Sequence, residues 1–357
     1  MSRPLHVVHL KWCFAMGGAE TLLIDIMNEQ VRSARVTLVV VNALEYEPNF
    51  EALAPEVHVV RLGRRPGSRN PWPLLRLRWL LHRLRPDVLH LHNPSMIQLV
   101  RGAAPRTVLT IHNTGVDLGY PLSAVDAVYA VSESVRRDVK ARAGSPVDPV
   151  VAWNGIDLSQ IPTRTGFGFD ETFRIVQVSR LEHRQKGQDV LLEALRIAVH
   201  ERGERRLHVD FIGDGPSRAY LEDLAVSLGV AAHCTFLGTQ PRERVYERLR
   251  EYNLLVQPSR YEGFGLTVAE GMAARLPVLC SRCEGPLEIL DGGRYGYLFP
   301  PGDAQACAEA ILRIMADSRE PWFAEAREAA LDHVRRRFDV RAVARHYLDG
   351  YISVVAA

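Results

Sequence analysis

The chain holds 357 residues, long for one core and comfortable for two domains. Its 44 basic and 42 acidic side chains leave a formal net charge of +2, which excludes a globally charged nucleic-acid binder, and its 47% hydrophobic content is ordinary for a globular protein. Five cysteines, an odd number, argue against a disulfide framework, and no apolar run approaches the roughly 18–20 residues that span a bilayer.

In chain order, "MSRPLHVVHLKW" carries an apolar run too short for a signal segment and reads as a strand, so a soluble, cytoplasmic protein is expected. Strands follow at "VTLVVV", "VHVVRL", "VLHLH", "TVLTIH" and "AVYAVS", with helices between most of them, for example at 18–31 and 134–143. The segment 61–86 carries eight arginines and no acid before Asp87. Within it Leu74, Leu77, Leu81 and Leu84 recur at helical spacing behind Pro71 and Pro73, which predicts a helix burying its leucines on the sheet. The arginines from Arg61 to Arg85, with Trp72 and Trp79, also suit an anionic membrane surface.

A polar stretch containing Pro and Gly, "IDLSQIPTRTGFGF", closes this series and places a domain break near 158–172. The first domain is assigned to 1–160 and the second to 170–337. Strands of the second read "FRIVQVS", "LHVDFIG", "CTFLG", "LLVQPS", "PVLCS" and "YGYLF", with helices at 190–200, 242–252 and 304–315. The tail, 338–357, is helical in pattern and is expected to pack back on the first domain. Strand–helix alternation of this kind predicts an α/β chain of two Rossmann-like domains, each a parallel sheet covered by helices. Open parallel sheets bind ligands at the carboxyl ends of their strands, so two such domains facing each other leave a cleft for chemistry. "CSRC" at 280–283 has no second cysteine pair or paired histidines nearby and reads as packing rather than a metal or redox site.

The stretch "VQPSRYEGFGLTVAEGMA" joins a strand to a helix through a loop holding Gly263 and Gly265, where backbone can approach a ligand closely. A helix starting near Leu266 presents free N–H groups and partial positive charge, an anion site. "RLEHRQKG" puts Arg180 and Lys186 at the mouth of an adjacent strand. Either alone is an ordinary solvated cation; facing a helix start, the two make a diphosphate clamp. No D-x-D pair is present to hold a divalent ion, so the cations and the helix dipole take its place, and no metal or cofactor is expected. Glu270 can accept both hydroxyls of a ribose, and Glu262, on the loop, lies nearer whatever the diphosphate carries. "GDGP" at 213–216 contains a G-x-G but lacks the third glycine, which discounts a dinucleotide.

Glu262 and Glu270, with seven residues between them inside "EGFGLTVAE", together with "SRLEHRQKG", "GGAE" at 17–20, "TIHN" around His112, "WNGID" at 153–157 and "GDGP", occur in an order that resembles the retaining glycosyltransferases of the GT-B fold, family 4. The resemblance spans essentially the whole chain. It implies a nucleoside-diphosphate sugar as donor and a hydroxyl acceptor on a glycan or lipid-linked precursor, or on a small molecule. Arg180 and Lys186 would stabilise the leaving diphosphate, and Glu270 would hold the ribose. Glu262, with the backbone of Gly263, Phe264, Gly265 and Leu266, would grip the donor and its sugar. Gly17 and Gly18 would bring N–H groups to the phosphates or acceptor, His112 would sit beside the transferring sugar, and Gly238 and Thr239 would meet the base. It further implies a front-face substitution with retention, and docking at the inner face of the cell membrane. Histidines on strands are more often structural, as His90 and His92 illustrate. Alternatives are a sugar-nucleotide epimerase or phosphorylase of the same architecture, or a two-lobed sugar-binding protein.

Overall fold

The computed structural model describes residues 3–144, 147–169 and 171–357; the domain start expected at residue 170 lies outside them. The chain divides into two compact units, Met1–Asp157 with Phe338–Ala357, and Leu158–Arg337. The described residues of the first unit form seven parallel strands, β1 (His6–Lys11), β2 (Arg35–Asn42), β3 (His58–Arg64), β4 (Val88–Leu91), β5 (Thr107–Ile111), β6 (Ala127–Ala130) and β7 (Val150–Val151), in the order β3-β2-β1-β4-β5-β6-β7. Those of the second form six, β8 (Phe173–Val178), β9 (Leu207–Ile212), β10 (Cys234–Gly238), β11 (Leu254–Gln257), β12 (Val278–Ser281) and β13 (Tyr297–Phe299), in the order β10-β9-β8-β11-β12-β13. Each order runs outward from the first strand of its unit in one direction and then the other, the doubly wound Rossmann pattern.

Alternation along the strands of the first unit sorts apolar from polar side chains. Val8, Leu10, Leu89, Leu91, Leu109 and Ile111 share one core with Leu77 and Leu81 of the helix Trp72–Leu84 and with Val135 and Val139 of the helix Glu133–Arg142. The intervening positions carry His9, His90 and Thr110, all buried. That polar face is completed by Gln30 at the end of the helix Gly18–Gln30 and by Tyr347 and Tyr351 of the helix Val340–Ala356. Tyr351 and Tyr347 hydroxyls meet His90 Nδ1 at 2.6 Å and Thr110 Oγ1 at 3.3 Å. Asp339 caps this last helix by accepting from the Arg341 N–H at 2.8 Å.

In the second unit Ile175, Val209, Phe211, Leu254 and Val256 pack with Leu191 and Leu195 of the helix Gln188–Arg196 and Ile311 and Ile314 of the helix Ala304–Asp317. Two helices depart from expectation. The one read over 190–200 is α-helical over Gln188–Arg196 and then widens into a π-helical turn, Ile197–Glu201. The one read over 242–252 stops at Leu249, leaving Tyr252 to bury its ring and donate to Asp210 Oδ2 at 2.8 Å.

The helix Trp72–Leu84 has two apolar faces. Leu77 and Leu81 are buried and Leu74 and Leu84 pack beside them, while Trp72, Leu75 and Trp79 are 72%, 54% and 57% exposed. Arg61 does not join this basic surface: it lies on β3 and forms a two-pronged bridge to Glu47 at 2.9 and 2.8 Å. Among the described residues, no helix is long and apolar enough to cross a membrane.

At Gly350 the last helix lies so close to β6 that an added Cβ would sit 2.0 Å from the Tyr129 hydroxyl. Gly350→Ala should therefore destabilise the first unit by about 1–3 kcal/mol through overpacking. A thermal melt of the variant that overlays the parent would contradict this seat.

Candidate functional site

In the second unit β8 and β11 are neighbours, and their crossovers leave in opposite directions, so the residues after each strand face one crevice at the carboxyl edge. The chain leaving β8 passes Ser179 and Arg180 and forms the short helix His183–Lys186, ended by Gly187 in the left-handed region at φ 67. A Cβ on Gly187 would lie 2.0 Å from the Pro258 carbonyl oxygen, so only glycine lets this turn close on the end of β11. That approach places Lys186 Nζ 2.5 Å from Glu262 Oε2, with both side chains largely buried at 18% and 14% exposure. Ser259 Oγ lies 3.5 Å from the same carboxylate and accepts from Gln257 Nε2 at 2.8 Å.

The loop carrying Glu262 is pinned on both sides. Arg260 grips Asp189 at 2.9 and 2.8 Å and donates to the His183 carbonyl at 2.7 Å. On the other side the Cys283 thiol donates to the Ser259 carbonyl at 2.8 Å. Cys283 lies, as expected, in the loop that leads into the helix Glu284–Ile289, where it braces the Glu262 loop, and burial raises its thiol above the ordinary range. Gly265, at φ 98, opens the helix Leu266–Ala273, and Phe264 is buried beneath the turn. Within that helix Glu270 accepts at 2.8 Å from the Tyr246 hydroxyl, which in turn accepts from Arg242 Nε at 2.8 Å. Burial, reinforced by the adjacent carboxylate, holds the Tyr246 phenol well above its usual range, so it remains a donor to Glu270.

The structure thus brings Lys186, Glu262, Gly265 and Leu266 together at one strand-end crevice. Arg180 stands at the same carboxyl edge, exposed and without a side-chain partner among the described residues. Gly238 closes β10 and receives the Gly213 N–H at 2.9 Å, and Thr239 beyond it is exposed. Tyr246, Arg242, Ser259 and Gln257 were not anticipated. The spacing of Tyr246 and Glu270 carries no local signal, whereas "QPS" at the strand end offered one.

In the first unit the carboxyl ends of β1, β4 and β5 are likewise adjacent. Gly17 precedes the helix Gly18–Gln30, and Lys11 Nζ is 2.6 Å from Glu20 Oε1 in its first turn. His112 follows β5, and its Nε2 lies 3.2 Å from His92 Nδ1. Burial lowers His112 to about 3 and His9 to about 4, and drives His90 and His92 well below the ordinary range with help from neighbouring imidazoles. A surface hollow of about 410 Å³ lined by Arg3, His82, Arg85 and Asp87 lies at the opposite, amino-terminal edge of this sheet.

Two doubly wound units with these strand-end sites have the GT-B architecture. The structure of a Rickettsia africae glycosyltransferase superposes with a TM-score of 0.83 at 17% identity, covering 99% of each chain. That of Anabaena HepE with UDP-glucose does so at 0.80 and 20% identity, covering 97% of this chain and 99% of the other. Residues 16–160 match Glycosyltransferase Family 4 and residues 164–330 match Glycosyl transferases group 1. The chain belongs to glycosyltransferase family 4.

Relatives include an uncharacterized glycosyltransferase of Methanocaldococcus jannaschii, 33% identical over 53% of this chain and 51% of that protein. A phosphatidyl-myo-inositol mannosyltransferase of Mycobacterium leprae is 28% identical over 76% and 74%. The chain spans about half or less of the length of several curated relatives it matches.

The lowered histidines give a pH dependence. They are neutral in the folded protein, whereas the unfolded chain takes up protons below its ordinary pKa of 6.5, so stability is lost as pH falls from there towards 4. His9 alone accounts for about 2 kcal/mol between its ordinary value and about pH 5. The unfolding midpoint of the parent should fall over that interval, and His9→Gln should flatten the slope; identical slopes would contradict a buried neutral His9.

Proposed function

We propose that this chain is a retaining glycosyltransferase that moves a sugar from a nucleoside diphosphate to an acceptor hydroxyl. The observation that carries this reading is the Lys186–Glu262 pair, held against the glycine turn at the start of the helix Leu266–Ala273. A diphosphate leaving group gains negative charge as it departs, and Lys186, Arg180 and the helix start supply preorganised positive charge there. Glu262 aligns the Lys186 ammonium and offers its remaining oxygen to sugar hydroxyls. Glu270, steadied by Tyr246, accepts the ribose hydroxyls. The family and the HepE structure with UDP-glucose support a nucleotide sugar as donor.

In the front-face reaction the bond from the anomeric carbon to the phosphate oxygen breaks, with its electron pair leaving on the phosphate. The acceptor oxygen bonds to that carbon from the same side, and its proton passes to the departing phosphate oxygen. The cations and helix dipole do this work without a metal ion. His112 stands on the sugar's side of the reaction, with Gly17 and Gly18 towards the phosphates or acceptor and Gly238 and Thr239 towards the base. The Mycobacterium leprae relative, named for phosphatidyl-myo-inositol, favours a lipid-linked or glycan acceptor.

With a donor identified by thermal stabilisation across a panel of nucleotide sugars, Arg180→Ala and Lys186→Ala should each lower kcat about 10²–10³-fold while leaving the melting temperature within a few degrees. Full turnover in either purified variant would refute the clamp.

The outward face of the helix Trp72–Leu84 supports membrane docking near a lipid-linked acceptor. Trp72, Leu75 and Trp79 share one exposed face with Arg76 and Arg83, and the Arg83 guanidinium lies 5.3 Å from the Trp79 ring centre. The protein should float with vesicles containing anionic lipid, less so in high salt, and Trp72→Ser with Trp79→Ser should abolish flotation. Equal recovery with neutral vesicles, or none with either, rules out this docking mode.

A further inference from the structure

Four side chains of the first unit form one file of hydrogen bonds, of which the reaction above uses only the last member. Gln30 Oε1 lies 2.8 Å from His9 Nε2, His9 Nδ1 lies 3.1 Å from His92 Nε2, and His92 Nδ1 lies 3.2 Å from His112 Nε2. A neutral imidazole carries one N–H and one bare nitrogen, so the direction of the first bond sets every later one. An amide oxygen only accepts, so His9 donates from Nε2 and is bare at Nδ1. His92 must then donate from Nε2, and His112 must donate inward from Nε2, leaving its Nδ1 with a lone pair.

The far end of the amide agrees with that direction. Gln30 Nε2 donates towards the Tyr351 hydroxyl at 3.5 Å, which leaves that hydroxyl's own proton for His90 Nδ1, 2.6 Å away. His90 then donates from Nε2 to Thr110 Oγ1 at 2.7 Å. Both branches leave the same glutamine, and burial keeps every ring in the file neutral. Lys11, whose charge also acts on His92 and His112, is tied to Glu20.

We propose that Gln30, His9 and His92 are positioning residues that lock His112 in its Nε2–H tautomer, so that its Nδ1 is a permanent acceptor for a hydroxyl of the sugar substrate. This rests on the glycosyltransferase reading for the identity of the hydroxyl, though not for the tautomer. A locked, neutral acceptor orients a sugar hydroxyl without competing for the acceptor's proton, which the departing phosphate takes. The rings of His9, His90 and His92 also lie at spacings that fit a metal ion. Both His90 nitrogens are already bonded, however, and His9 and His92 share one proton, so an ion must break this network to bind.

The test is the nitrogen-15 spectrum of histidine-labelled full-length protein, with His112 assigned by its loss in His112→Gln. The parent should show a bare Nδ1 and a protonated Nε2 on His112. Gln30→Met, which has the shape but neither donor nor acceptor, should shift both nitrogens towards a tautomer mixture; His9→Phe breaks the file one step along should Gln30→Met not fold. A protonated Nδ1 in the parent overturns the proposal, as does a His112 signal unmoved in both breaking variants, or zinc retained at one ion per chain with loss of the His92 N–H. With donor and acceptor supplied, kcat/KM should fall about tenfold in Gln30→Met, the worth of about one hydrogen bond. A parent with no transferase activity dismisses the glycosyltransfer reading while leaving the tautomer result standing.

Discussion

A parallel strand delivers its successor loop to one edge of the sheet, and two neighbouring strands whose crossovers diverge leave a gap there that no helix fills. β8 and β11 are such a pair, and the Lys186–Glu262 bridge spans the gap between the loops that follow them. A buried ion pair contributes little net stability, because desolvation offsets most of the attraction. Its value here is geometric. The bridge fixes an ammonium beside a helix start, and Arg260, Asp189 and Cys283 hold the loop that carries the carboxylate. Rigid placement of charge is what the proposed departure of a diphosphate would require, since charge that is already oriented costs no reorganisation during the reaction.

The first unit carries a different chemistry. One face of its sheet is an ordinary aliphatic core, and on the other β1, β4 and β5 carry a layer of imidazole and hydroxyl groups, met by an amide and two phenols of the covering helices, beside an aliphatic cluster over β2. Burying so many polar atoms is costly unless each is bonded, and a network that is fully bonded has very few ways to arrange its protons. The unit therefore gives up some apolar burial for directionality, which is useful only if something at the exposed end depends on proton position. His112 is the member at that end.

Strand and helix order were legible because apolar runs of four to eight residues alternate with amphipathic stretches throughout the chain. The glycine turn, its two glutamates and the cations after β8 could be named from local pattern. Their pairing could not: Lys186 and Glu262 are 76 residues apart, and only the strand order brings them together. Tyr246 behind Glu270 left no trace in spacing. Histidines of "HLH" read as incidental strand residues because the groups that satisfy His90 include Tyr351, 261 residues distant. The second apolar face of the helix Trp72–Leu84 was readable in the i, i+3, i+7 spacing of Trp72, Leu75 and Trp79, which the leucine stripe overshadowed.

Tyr347, Tyr351 and Gly350 belong to the first unit although the whole of the second intervenes in the chain. On a ribosome, which releases residues from the amino end at about 5–20 per second, the imidazole layer therefore emerges long before its cover. For some ten seconds or more that face is open to water and to other nascent chains. The earlier-made half can settle its aliphatic side at once, yet its polar side closes only when the helix Val340–Ala356 has followed, so completion of the first fold waits on synthesis of the whole second unit.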